Sequence, residues 1–141
     1  MSTLKAFEYI ETVLDEAGFT QWEPVFDKEN IGSTIIDRSY HVEFTGSTKE
    51  SQGNKTLSMR HSFLISIFFV GYQKEKVVSR ELLAECESVI QELCGYTKTL
   101  QNINAVEFSR LQLVPFDEVE NDNILVGVIE VDVILDLCLI D

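Results

Sequence analysis

The side chains that could do chemistry are few and scattered. His41 and His61 stand on two segments with the alternating pattern of strands, where they could face each other across a hairpin. Two imidazoles make half of a zinc set, and no further ligands sit at metal-binding spacing, so both read as structural or solvated side chains. Glu130, Asp132 and Asp136 share one face of an apolar segment. Clustered carboxylates can serve acid–base chemistry, but an acidic outer strand face that resists wrong edge pairing, or meets basic groups on a partner, explains them more economically. A second acidic group, Asp117, Glu118, Glu120 and Asp122, lacks the alternating ligands, central glycine and distal glutamate of a calcium loop and reads as a solvated hairpin tip. Cys86, Cys94 and Cys138 form no CxxC pair and no even disulfide set; reduced core thiols are the simplest reading.

No phosphate-binding glycine loop, nucleophile elbow or HExxH pattern occurs in the sequence, so the expectation is a protein without catalytic, cofactor or metal site. One basic island remains, Lys49, Lys55 and Arg60. It reads either as a solubilising hairpin tip or as a docking arm that orders against an acidic neighbour or a phosphate.

Periodicity supplies the elements that would carry these groups. Residues 4–17 put Leu4, Phe7, Ile10 and Leu14 on one helical stripe, with Ser2 or Thr3 as N-cap and Gly18 as the stop. An irregular connection follows, with room for a short strand at Glu23–Phe26. Residues 34–44 alternate, with Ile36, Tyr40, Val42 and Phe44 on one side. The polar stretch TGSTKESQGNKT, residues 45–56, holds no apolar anchor and is expected to be a mobile loop. Residues 57–72 form the next strand, apolar on one face throughout and on both faces after Ser62. A second helix with Leu82, Leu83, Cys86, Val89, Ile90 and Leu93 on its stripe runs from a cap at Ser79 to a stop at Gly95. Residues 105–114 are a strand whose apolar phase slips near Ser109 or Arg110, the signature of a bulge, and Pro115 ends its pairing.

The C-terminal run ILVGVIEVDVILDLCLI, residues 124–140, is too short and too charged for a membrane helix. Its branched apolar residues at every second position from Ile129 to Leu139 make it a long strand. At 141 residues the chain is expected to be a single domain. The order α-β-β-α-β-β predicts an α+β fold: a mostly antiparallel sheet with two amphipathic helices on one face and an extra short strand early on.

Two helices cover one face of such a sheet. The second face, with Leu64, Phe68, Val70, Tyr72, Ile124, Val126, Val128 and Ile134, is therefore expected to bury itself against another subunit or protein. Arg80 and Arg110, isolated cations in an acidic chain, are candidates to meet the acidic strand face of a neighbour around Glu130 and Asp132.

The formal net charge is −13, from 24 acidic and 11 basic residues. Such a charge opposes tight binding to phosphate backbones and disfavours nucleic-acid readout. The N-terminal MSTLKAFEYI lacks the basic start and apolar stretch of a signal peptide, which points to a cytoplasmic product.

The sequence of RSYHVEF, a polar loop, RHSFLISIFFVGY, the helix SRELLAECESVIQELCG and the terminal VGVIEVDVILDL resembles the tail terminator proteins of long-tailed bacteriophages, also called tail completion or head-to-tail joining proteins. The likeness lies in the order of elements across nearly the whole chain, not in a catalytic motif. It implies a small subunit that is made in the host cytoplasm and forms a sixfold ring on the end of the tail tube. The ring would stop tube polymerisation, offer a surface to the head connector, and let DNA pass without specific binding. Small acidic homodimeric chaperones of type III secretion share much of the same element order. Those proteins carry a third helix at the end, where this sequence has a strand.

Overall fold

The structure, a computed structural model, describes residues 2–22, 37–70, 76–95, 103–115 and 124–138. The elements are α1 (Ser2–Glu16), β1 (Thr20–Gln21), β2 (Ser39–Gln52), β3 (Thr56–Val70), α2 (Lys76–Cys94), β4 (Ile103–Pro115) and β5 (Ile124–Cys138). The strands form one sheet in the order β1-β2-β3-β5-β4, antiparallel except for the short parallel pairing of β1 with β2. The fold is α+β, as the pattern predicts, with one short strand added. That strand is Thr20–Gln21, and the expected one at Glu23–Phe26 lies outside the described residues.

The terminal apolar run is the spine of the sheet. β5 pairs with β3 along its whole length, from Ile124 opposite Val70 to Cys138 opposite Thr56. These two central strands are apolar on both faces at one end because they have a strand on each side and cover above and below there. Phe63, Ile65, Ile67, Phe69, Leu125, Ile129, Val131 and Val133 point toward the helices and are buried with them in one core. Burying each such side chain contributes about 1.5–3 kcal/mol.

Helix α1 ends in a Schellman motif. The Phe19 amide donates to the Leu14 carbonyl at 3.0 Å and the Gly18 amide to the Asp15 carbonyl at 3.1 Å, while Gly18 takes φ of +95°. The buried stripe of α1 is Ala6, Tyr9, Ile10, Val13 and Leu14. It is rotated from the expected one: Leu4 is 54% exposed and Phe7 is half-buried. Tyr9 explains the rotation. Its ring lies in the core and its hydroxyl donates to the Leu93 carbonyl at 2.6 Å, satisfying an orphan carbonyl at the end of α2. The stripe therefore serves both the sheet and the second helix.

Helix α2 begins three residues before the expected cap at Ser79 and stops before Gly95. Leu82, Cys86, Val89 and Leu93 are buried as its pattern predicts, with Leu83 and Ile90 half-buried. The helix approaches the sheet over Gly127, where a Cβ would stand 2.7 Å from the Cys86 sulfur. Glycine is the residue that lets Cys86 sit there.

The expected mobile loop at 45–56 is corrected. β2 continues through it to Gln52, paired with β3 down to Gln52 opposite Leu57, and only Gly53, Asn54 and Lys55 form the turn. The stretch is polar because no helix covers it, and its backbone is satisfied by the ladder all the same. Two irregularities absorb the change of phase, between Phe44 and Gly46 and between Lys49 and Ser51. Gly46 takes φ of +154° at the first. On β4 the expected bulge is present between Phe108 and Arg110, and Pro115 is the last paired residue.

Candidate assembly surface

Both helices sit on one face, so the second face holds most residues proposed to contact a partner. It divides in two. At one end Phe68, Ile124 and Val126 form a small separate core, with Trp22, Val70, Val114 and Val128 packed against it. The indole of Trp22 meets the Phe68 ring edge-on at 5.0 Å. Phe68 and Val126 are only 4% and 6% exposed, and Ile124 and Ile134 are buried too. Here the sequence expectation fails: these four side chains find cover within the chain and are not an outward surface. Leu64, Val70 and Val128 are half-buried. Tyr72 lies outside the described residues.

The other end of the face is charged. Arg60 on β3 bonds Glu50 on β2 at 2.9 and 3.1 Å, Asp132 on β5 at 2.8 Å and Glu107 on β4 at 2.6 Å. One guanidinium thus ties all four long strands across the face, using the bidentate fork that lysine lacks. Glu50 reaches it from the second irregularity in β2, where an extra residue re-aims a side chain. The Arg60 hydrogen bond holds the Glu50 carboxyl below the usual carboxylate range, and the three carboxylates raise the Arg60 pKa. Arg60 is therefore not part of a basic docking island. Asp132, expected to meet a neighbour's cation, already has one.

Beside this network lies a cleft of about 320 Å³ lined by Thr45, Ser62, Phe63, Leu64, Ser109, Glu130 and Asp132. Glu130 is exposed and stands opposite Arg110 on β4. The lining is mixed, hydroxyls and two carboxylates around an apolar floor. Arg80 and Arg110 are both exposed, on α2 and on β4 respectively, and so are Lys49 and Lys55 near the β2–β3 turn.

The sheet also outruns α1. Thr3 in the first turn of α1 approaches His61 at 3.4 Å, and the Tyr40 hydroxyl donates to Asp15 in its last turn at 2.9 Å. The helix therefore spans only the rows between Tyr40 and His61. Past His61, toward the turn, the same face carries half-buried Leu57 and Met59 and Leu137, which is 38% exposed.

The histidines are not neighbours. His61 stands opposite Ser47 on the helix side, buried, with the Ser47 hydroxyl 2.6 Å from its Nδ1. His41 stands opposite Ser66 on the other face, 6.4 Å from the Trp22 ring. Burial lowers the His61 pKa. Burial also pushes the Cys86 thiol up to about 12 and raises that of Cys94, so neither is poised as a nucleophile. Cys138 closes β5.

One fixture carries no signal in the sequence. Arg38, just before β2, takes φ of +59°, in the left-handed region. Its guanidinium bonds both Glu85 carboxylate oxygens at 3.1 Å and Asp37 at 2.8 Å. It pins α2 to the start of β2 from 47 residues away, a pairing no local pattern announces. The acidic segment at 117–122 lies outside the described residues.

Among the described residues no group of three or more His, Cys, Asp or Glu side chains is arranged to hold a metal ion. No described helix is long and apolar enough to cross a membrane. No protein-family model matches the sequence, and comparison with curated proteins finds no match.

Proposed function

We propose that this chain is a structural subunit of the tail terminator type. It assembles into a ring, a hexamer on the resemblance above, on the end of a phage tail tube. There it ends polymerisation of the tube protein and presents a surface to the head connector, and so belongs to the virion at the neck of the tail. The observation that carries the reading is the end of the sheet that extends past α1. Leu57, Met59 and Leu137 are incompletely covered there, with Lys49 and Lys55 close by at the β2–β3 turn. A half-covered apolar end rimmed by charge suits contact with a preformed protein edge. The acidic balance of −13 agrees with a conduit that does not retain DNA.

Native mass spectrometry over a concentration series, with electron microscopy of large species, tests the reading. A sixfold ring, or a monomer that caps added tail tubes, supports it. A compact dimer at every concentration overturns it in favour of a secretion chaperone, and a monomer that leaves tube ends bare overturns it as well.

A further inference from the structure

Four exposed large apolar side chains stand out among the described residues: Leu4, Phe44, Phe108 and Leu137. Two of them end the same row of the sheet. Phe44 on β2 pairs with Phe63, Phe63 with Val131, and Val131 with Phe108 on β4. The row thus begins and finishes on a phenylalanine that is 39% or 43% exposed, at opposite edges. The neighbouring rows match as well. One runs from Val42 through Ile65 and Ile129 to Leu111, and another from Glu43 through Leu64 and Glu130 to Arg110. Glu43 and Arg110 are both exposed.

Among the described residues, β1 covers β2 at Ser39 and Tyr40 and no strand pairs with β2 beyond them on that side, while β4 pairs with β5 alone. Four successive antiparallel strands, β2, β3, β5 and β4, leave the two edge strands running in opposite directions. Copies placed side by side in the same orientation therefore bring β4 of one antiparallel to β2 of the next. Exposed aromatic residues on an unprotected edge are what monomeric proteins avoid.

We propose that successive copies of this chain join head to tail through these edges, β2 of one copy adding to β4 of the next without stagger. Phe44 then lies against Phe108, Val42 against Leu111, and Glu43 against Arg110 across the joint. Phe108 and Leu111 line a groove of about 260 Å³ with Ile90 of α2, which gives the incoming Phe44 a place to insert. The charges are complementary in this register, and opposite-charge cross-strand pairs favour it. The contact uses two different patches, so it is heterologous and closes into a ring when the rotation allows. The proposal supplies the seam for the ring reading above and rests on it.

The variant Glu43→Cys/Arg110→Cys tests it under mild oxidation, with linked peptides identified by mass spectrometry. Within one chain the two positions are three strands apart, about 14 Å by strand spacing, too far for a disulfide. The expected result is a ladder of covalent oligomers linked 43 to 110, ending at the ring size. Charge reversal gives a second readout: Glu43→Arg should raise the concentration for half-assembly about tenfold, and adding Arg110→Glu should restore it. Circular dichroism confirms folding of each variant. Wild-type rings with no 43–110 bond and no effect of reversal overturn the seam and leave the ring reading standing. A 43–110 ladder without a closed ring, alone or on added tail tubes, supports the seam and removes the ring. Neither a ladder nor a ring, with the protein alone or with added tail tubes, overturns both.

Discussion

The two faces of the sheet show two ways of completing a structure from the same alternating strands. On the helix side, Ile65, Ile67, Phe69 and Ile129 are fully buried beneath α1 and α2. On the other side a small apolar core around Phe68 and Val126 gives way, along the same strands, to Arg60 and its three carboxylates. The first face is held by area removed from water and by close fit. The second is held partly by directional bonds that remain half in solvent, where charge pairs contribute little. The helix face should therefore dominate stability, and contact is left to its incompletely covered end and to the sheet edges.

Substitution can break that comparison. Ile129→Ala on the helix face should cost about 3 kcal/mol in urea unfolding, from lost transfer energy and the cavity left. A loss below about 1 kcal/mol would mean the site collapses or the core is looser than its burial indicates. Gly127→Val should destabilise by about 2 kcal/mol through overpacking against the Cys86 sulfur. Pairing it with Cys86→Ala should recover part of that loss, and no recovery would place the strain elsewhere. Arg60→Gln on the charged face should lower Tm by only about 2–4 °C in a scanning calorimeter. A fall as large as that from Ile129→Ala would reverse the ranking of the faces.

Acid sharpens the same contrast, because among the described residues each face holds one group whose folded pKa is depressed. Burial lowers that of His61 and the Arg60 hydrogen bond lowers that of Glu50. In both cases the unfolded chain binds the proton first, so the stabilisation is complete above the unfolded pKa and is lost as pH falls through the folded one. The His61 contribution should begin to fall below about pH 6.5 and that of Glu50 below about pH 4.3. Unfolding midpoints measured from pH 7.5 to 3 should show the upper step vanish in His61→Gln and the lower one shrink in Arg60→Gln. If His61→Gln leaves the upper step intact, another group is responsible for it.

Much of the fold is legible in periodicity. The two helices, the long strands, the glycine stop of α1 and the bulge beside Ser109 follow from local patterns of side chains. Three misreadings have one cause. Residues 45–52 look like a loop because they are polar, yet β3 satisfies their backbone. Phe68 and Val126 look outward because only helices were counted as cover, yet Trp22 packs against them. Arg60 looks like a free cation, yet carboxylates at 50, 107 and 132 converge on it. Each depends on residues distant in sequence, and polarity or apolarity of a side chain does not say which neighbour will supply its cover.

By itself, then, the amino-acid sequence determined the alternation, the stripe of α2, the stops and the acidic charge, since these are set within a few residues by backbone geometry and side-chain type. The tertiary structure alone decided that Phe44 and Phe108 end one row, that Gly127 receives Cys86, and that Arg38 finds Glu85. Register between distant strands and the rotation of a helix about its axis are chosen by packing the whole core at once, and no local segment contains that choice.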